Sequence, residues 1–206
     1  MTEAESQVLD LRRPLVVGSR GRLSSGWWGM WSILATEAAL FGYLLFSYFY
    51  VAAQAHAPWP PGGPPKLGIA LPDTAILLAA SATMWWGERG IRRGRAGPLR
   101  IGLAATIVLG VVFLGLQLIE WRNKSFTPST DAYGSLYFTV TGFHMAHVLA
   151  GLVMLLFLLV WAFFGYFDER RHSAVSIGAI YWHFVTAVWV AVFATIYLSP
   201  YLGVQG

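Results

Sequence analysis

Cysteine is absent from the 206 residues. A chain without it forms no disulfide, offers no thiolate to a metal and carries no cysteine nucleophile, so its chemistry falls to His, Asp, Glu, Tyr and Met. Charge is nearly as scarce. Asp, Glu, Lys and Arg make up 12% of the residues, against about a quarter in an ordinary soluble domain, while 56% are hydrophobic. So few charges point to lipid as the solvent. The formal net charge of +4 does not redirect this reading to nucleic acid, because the basic residues stand in short runs between long apolar stretches instead of interleaving with exposed aromatics. Internal repeats with a period of about 20 to 50 residues are also lacking. An odd number of spans cannot divide into two equal inverted halves, which argues against a carrier.

What the sequence does contain is long apolar runs. A hydrocarbon core of about 30 Å needs about 20 apolar helical residues to cross it. Five stretches reach or approach that length: 28–51, 72–87, 101–118, 136–164 and 175–198. The second is the shortest, and it spans only if its entry at Leu71 to Asp73 and its exit at Gly87 lie in the interface. The predicted architecture is all-α. Residues 1–25 form a polar cytoplasmic tail, and 26–206 form a single transmembrane five-helix bundle. Ala53 and Ala55 after the first span could imitate a signal-peptide cleavage site. A signal core runs to only about 7 to 15 residues, however. This one is longer and contains Glu37, so it reads as an anchor that stays.

Lys and Arg collect on the cytoplasmic side of membrane proteins. An N-terminus inside puts Arg12, Arg13, Arg20 and Arg22 in the tail, Arg89, Arg92, Arg93, Arg95 and Arg100 around the second loop, and Arg170 and Arg171 in the fourth. Only Lys66, Arg122 and Lys124 remain for the far side, where the C-terminus must then lie, in the periplasm. The proline- and glycine-rich run from Pro58 to Lys66 reads as a linker, since proline removes backbone donors and glycine resists ordering.

An ionisable group at bilayer depth costs about 2.5 to 3.5 kcal/mol even on the lenient insertion scale, so each one asks for a reason. Glu37 lies about nine residues into the first span, roughly 14 Å deep at the helical rise. Burial away from positive partners favours a neutral carboxyl, or one sharing a proton through a hydrogen bond. It reads equally well as interhelical glue and as a proton-handling group. Gln117 and Glu120 share one face at the outer end of the third span, where the acid is expected to find Arg122 or solvent. His144 and His147 project together from the fourth span, and Gly142, Ala146 and Ala150 form a small-residue ridge on another face, suited to close helix approach. Tyr181, Trp182 and His183 begin the fifth span. The histidines could be gathered as a three-imidazole metal site, but fourth- and fifth-span residues enter from opposite faces and no carboxylate completes a shell at matching depth. Interhelical hydrogen bonding or lipid contact is the expected use of all three, with no metal. Asp73, after Pro72, reads as a helix cap.

These residues also carry a resemblance. YGSLYFTVTGFHMAHVLAG, from Tyr133 to Gly151, resembles the most characteristic stretch of the haem-copper oxidase subunit III family. YWHFVTAVWVAVFATIY, from Tyr181 to Tyr197, looks like that family's last helix, and GWWGMWSILATEAALF, from Gly26 to Phe41, resembles the helix bearing its buried glutamate. LQLIEW, from Leu116 to Trp121, and DTAILLAASATMWW, from Asp73 to Trp86, match in the same order. The resemblance implies the five-helix bacterial form of subunit III of cytochrome c oxidase. It makes Glu37 the family's membrane-buried carboxylate and aligns Gln117, Glu120, His144, His147, Trp182 and His183 with recurrent polar positions. It implies no catalytic residue and no metal here, since haem and copper reside in partner subunits, and phospholipid is the one ligand expected. Partners would be oxidase subunit I as the main contact, subunit II in the same complex and membrane lipid, in a bacterial inner membrane. The role implied is support of proton uptake and protection of subunit I from turnover inactivation while oxygen is reduced to water.

The seven-helix form of the family has two further N-terminal helices that help to enclose a lipid cleft. That cleft is expected to be open here, or filled by another subunit. Thr186 stands where the family pattern commonly has aspartate, so a proton-surface role tied to that acid is not expected to carry over. A quinol-oxidase subunit or a nitric-oxide-reductase-associated homologue is the nearest alternative. A free-standing haem-binding or transport protein is the alternative from another class.

Overall fold

The structure, a computed structural model, describes residues 25–56 and 58–203. The polar tail predicted over 1–25, with its four arginines, lies outside the described residues except for Ser25. Among the described residues there are five long helices and no strand: α1 (Ser25–Gln54), α2 (Leu67–Ile91), α3 (Ala96–Arg122), α4 (Ala132–Phe163) and α5 (Ser173–Phe193). A π-helical turn, Ala194–Leu198, and a 3₁₀ turn, Ser199–Leu202, extend α5. All five helices are long and apolar enough to cross a membrane, and the chain is a multi-pass membrane protein.

Most helices overrun the predicted spans at one end or both, because hydropathy stops at the first polar residues while the backbone must keep its own hydrogen bonds satisfied well into the interface. The largest difference is in α2, which starts five residues before Pro72 and runs on through Glu88 and Arg89. Pro72 is tolerated because it forgoes one bond, to the carbonyl of exposed Gly68. Asp73 therefore sits inside the helix and caps nothing; Lys66 holds the N-cap position. By contrast, Asp131 does cap α4, its Oδ1 accepting from the Gly134 amide at 2.6 Å.

Close backbone approach falls on α2 and α3. A Cβ added to Gly102 would stand 2.8 Å from the Gly87 Cα and 2.8 Å from the Thr83 carbonyl oxygen. That proximity lets the Thr106 hydroxyl reach the Ala80 carbonyl at 3.2 Å and lie 2.9 Å from the Thr83 hydroxyl. The ridge predicted for this purpose on α4 is not used so: Ala146 and Ala150 are exposed, and Gly142 meets only the Trp121 ring. Sequence spacing finds small-residue ridges but not which of them a partner helix covers.

The core is built around α5, whose Val175, Ala179, Trp182, Val185, Trp189 and Val192 are buried against α2 and α4. Trp182 fits because Gly110 and Gly151 have no side chain there; an added Cβ would come within 2.9 and 3.1 Å of its ring. α1 packs along α4 and α5 and leaves Trp28, Trp31, Tyr43, Phe46 and Tyr50 exposed. In an apolar solvent such a face carries no hydrophobic penalty.

The antiparallel succession gives the bundle two ends. At one, Arg100 donates to the Ala162 carbonyl at 3.1 Å and Arg92 pairs with Glu88 at 2.6 Å, beside Ser176. At the other, Tyr48, Trp59, Phe126, Tyr133 and Tyr137 pack ring against ring over the α1–α2 and α3–α4 loops. Tyr201 donates there to the Pro65 carbonyl at 2.9 Å, tying the chain's end to the proline-rich loop.

Candidate functional site

The polar residues singled out in the sequence fall into two separate groups, one at mid-bundle between α1 and α4 and one near the aromatic end. In the first, Glu37 Oε2 lies 2.7 Å from His147 Nε2. Glu37 therefore has a hydrogen-bonding partner on another helix, with which it can share a proton. His147 follows from the helical repeat: four residues back is Phe143, whose carbonyl oxygen lies 2.7 Å from Nδ1. A carbonyl only accepts, so Nδ1 carries a hydrogen. Nε2 is then either an acceptor from a protonated Glu37 or, in an imidazolium, a donor to a carboxylate. The two states differ by the position of one proton along a short hydrogen bond, and both leave the pair neutral overall. The side chains retain 27% and 16% exposure, on the face where α1 meets α4, so the proton is reachable from outside the bundle. Phe41 packs edge-on against His147 with centroids 5.1 Å apart, and Tyr181 donates to the His147 carbonyl at 3.2 Å.

His144 is fully buried, although it shares the helix face of His147. Its Nε2 lies 3.1 Å from the Val185 carbonyl, and its ring is enclosed by Phe113 and Trp189. His183 turns to α2, where its Nδ1 is 2.6 Å from the Ser81 hydroxyl. The three imidazoles thus serve three different interfaces. Among the described residues no group of three His, Asp or Glu side chains could hold a metal ion. Trp182 fills the core between α3, α4 and α5, away from any lipid-facing surface. Thr186 is buried and returns its hydroxyl to the Trp182 carbonyl at 3.0 Å.

The second group corrects the reading of Glu120. It does not find Arg122 or solvent. It is 4% exposed, and its Oε1 accepts from Tyr197 at 2.8 Å and from Lys124 at 2.9 Å, with the Tyr137 hydroxyl at 3.4 Å. The Lys124 ammonium also lies over the Tyr137 ring, 4.8 Å from its centroid. Tyr197 reaches this point through the π turn. It lies eight residues beyond Trp189, so in an ideal α-helix the two would differ by roughly 80°, and the extra residue of a π turn removes most of that offset. Gln117, one helical turn before Glu120, is fully buried with neither amide atom paired among the described residues. Asp73 of α2 is also fully buried and unpaired, and it lies within electrostatic reach of Glu120. Sequence reasoning missed Asp73, Tyr137, Tyr197, Lys124 and the Glu88–Arg92 pair at the opposite end. The four-residue spacing of Glu120 to Lys124 and of Glu88 to Arg92 was the available signal for those two pairs.

A bundle of lipid-facing helices whose interior holds a few buried polar groups defines a polytopic helical membrane protein. Residues 23–201 match the family described as cytochrome c oxidase subunit III. The chain is 37% identical over 201 residues to the probable cytochrome c oxidase subunit 3 of Mycobacterium tuberculosis, covering 95% of this chain and 94% of that one. It is 36% identical over 169 residues to the Nocardia farcinica protein of the same description, covering 80% of this chain and 83% of the relative. The Drosophila melanogaster cytochrome c oxidase subunit 3 is 34% identical over 177 residues, covering 82% of this chain and 68% of the insect one. The chain belongs to the cytochrome c oxidase subunit III family.

Proposed function

We propose that this chain is the accessory, metal-free third subunit of a bacterial cytochrome c oxidase. There it packs against catalytic subunit I, in a complex that also contains subunit II, and supports proton supply to the reduction of oxygen. The observation that carries this reading is the Glu37–His147 hydrogen bond of 2.7 Å, which holds one movable proton on an otherwise apolar, partly open face. Within such a pair the proton can shift between Glu37 and His147 without changing the net charge held in the hydrocarbon, and uptake or release of a proton changes that charge by only one. The surface bearing exposed Phe143, Leu149, Val153 and Phe157 on α4 is apolar enough for either lipid or a partner helix. Orientation follows from the arginines around the α2–α3 and α4–α5 loops, which favour the cytoplasmic side of the plasma membrane for that end.

The test replaces the acid by its neutral isostere. Glu37→Gln in the assembled oxidase keeps the volume and one hydrogen bond to His147 but removes the movable proton. Steady-state turnover should start near the wild-type rate, then decay at least several-fold faster, and proton uptake measured in vesicles should slow. Unchanged uptake and an unchanged lifetime in a fully assembled complex would reduce the pair to packing.

A further inference from the structure

We infer that Asp73, Gln117 and Glu120 enclose an internal hydrated site that stores one proton, held on Asp73, at the aromatic end of the bundle. These residues converge. Phe113, Gln117 and Glu120 lie on one face of α3, since they are four and three residues apart. Phe113 packs against Trp189 of α5 with centroids 4.9 Å apart, and the Trp189 indole donates at 3.0 Å to Thr74, the neighbour of Asp73. The same α3 face therefore looks onto the stretch of α2 that carries the acid.

The site's electrostatics are lopsided. It contains two carboxyls, Asp73 and Glu120, and one ammonium, Lys124. The ammonium is committed to Glu120 Oε1, which also receives the Tyr197 hydroxyl. The titratable groups around Asp73 are thus Glu120 and Lys124 from α3 and its following loop, Tyr137 from α4 and Tyr197 from the π turn. None of them supplies a second positive charge. A carboxylate left without a counter-charge so deep in the bundle is far costlier than a neutral acid, so the missing charge is met by a proton. A metal ion is the poorer candidate: only two carboxyls are present, and the ammonium repels a second cation.

Gln117 is the independent sign that something small and polar binds there. It is uncharged and fully buried, and both its amide nitrogen and oxygen lack a partner among the described residues, as do both Asp73 oxygens and Glu120 Oε2. Buried polar atoms are almost always hydrogen-bonded, and leaving them unpaired is expensive. This set mixes acceptors with one donor group, which suits water, itself both donor and acceptor, better than any ion. The neutral acid, the amide and the free carboxylate oxygen can then be joined through water in one network.

Isotope-edited infrared spectroscopy on the full chain in lipid nanodiscs tests this directly. Asp73 is the only aspartate inside a transmembrane helix among the described residues, so carboxyl-labelled aspartate isolates it. At neutral pH we expect a protonated-carboxyl C=O band that moves on 13C labelling, shifts again after equilibration in D2O and is missing from Asp73→Asn. If Asp73→Asn does not assemble, the labelled wild type still decides by the presence or absence of the band. No aspartic-acid band, or one that survives Asp73→Asn, overturns the assignment. A band insensitive to prolonged D2O exposure overturns the hydrated site, and a band that vanishes on titrating sodium chloride assigns the position to a cation instead.

Discussion

The backbone-to-backbone approach of α2 and α3 offers the most direct check on how the bundle is held together. Gly102→Ala adds one carbon that would stand 2.8 Å from the Gly87 Cα and 2.8 Å from the Thr83 carbonyl oxygen. Carbon atoms rest about 3.5–4.0 Å apart, so α2 and α3 must part by roughly 1 Å locally. No flexible side chain can give way, because both obstacles are backbone. Overpacking of this kind costs about 1–3 kcal/mol, and rigid neighbours place it at the upper end. Separation also stretches the bonds from the Thr106 hydroxyl to the Ala80 carbonyl at 3.2 Å and to Thr83 at 2.9 Å, for about 1 kcal/mol more. Against this, alanine gains about 1 kcal/mol over glycine in a helix. The expected net loss is about 3 kcal/mol. Gly115→Ala on the same helix is the control, since its added carbon meets nothing within 4 Å. It should be neutral or stabilising by up to about 1 kcal/mol. Reversible unfolding in mixed micelles, or steric trapping in bicelles, measures both. Equal stability of the two variants would refute the close-approach account.

Two further changes probe other parts of the structure. Tyr197→Phe removes the 2.8 Å donor to buried Glu120 together with the 2.9 Å bond between the Tyr197 and Tyr137 hydroxyls and should cost about 1.5–3 kcal/mol in the same unfolding assay, whereas Tyr137→Phe loses that shared bond and a 3.4 Å contact but keeps the 2.8 Å donor, and should cost less. A reversed order would sink the proposed hierarchy of partners. Outside the membrane, the α4–α5 turn depends on Asp168. Its carboxylate is held below the usual range by the Arg171 and Arg170 backbone amides, each donating at 2.8 Å, and by the Arg171 side chain. A folded-state pKa below the unfolded one means that this local stabilisation is present at neutral pH and is lost as pH falls through the lowered value. Measured against their intrinsic exchange rates, the Arg170 and Arg171 amides should therefore be protected at neutral pH and lose that protection in acid, and Asp168→Asn should reduce it already at neutral pH.

The small-residue ridges show where sequence reading reaches its limit. Gly142, Ala146 and Ala150 form as regular a ridge as any in the chain, yet Gly87 and Gly102 make the close approach. Helical spacing states which residues share a face, whereas a neighbour's position depends on how all five helices settle together. The same limit separates the three histidines. His144 and His147 share a face, but one is enclosed by Phe113 and Trp189 while the other meets Glu37 at the edge. Glu120 at a helix end is expected to find Arg122 or solvent; Lys124 stands four residues on and is a local partner, but nothing local signals that Tyr137 and Tyr197 close over the acid.

By itself, the sequence determined the solvent, the number of helices and the family. Each is written in properties that add along the chain: the length of apolar runs, the scarcity of charge, and motifs read in order. Tertiary structure alone decided which polar residues meet. Glu37 with His147, His183 with Ser81, and Glu120 with Tyr197 are each separated by at least 77 residues, and their pairing rests on helix rotation and depth. One residue in the π turn changes that rotation by about 100°. A hydrogen bond needs its partners placed to within a few tenths of an ångström, a precision that no periodicity in the sequence encodes.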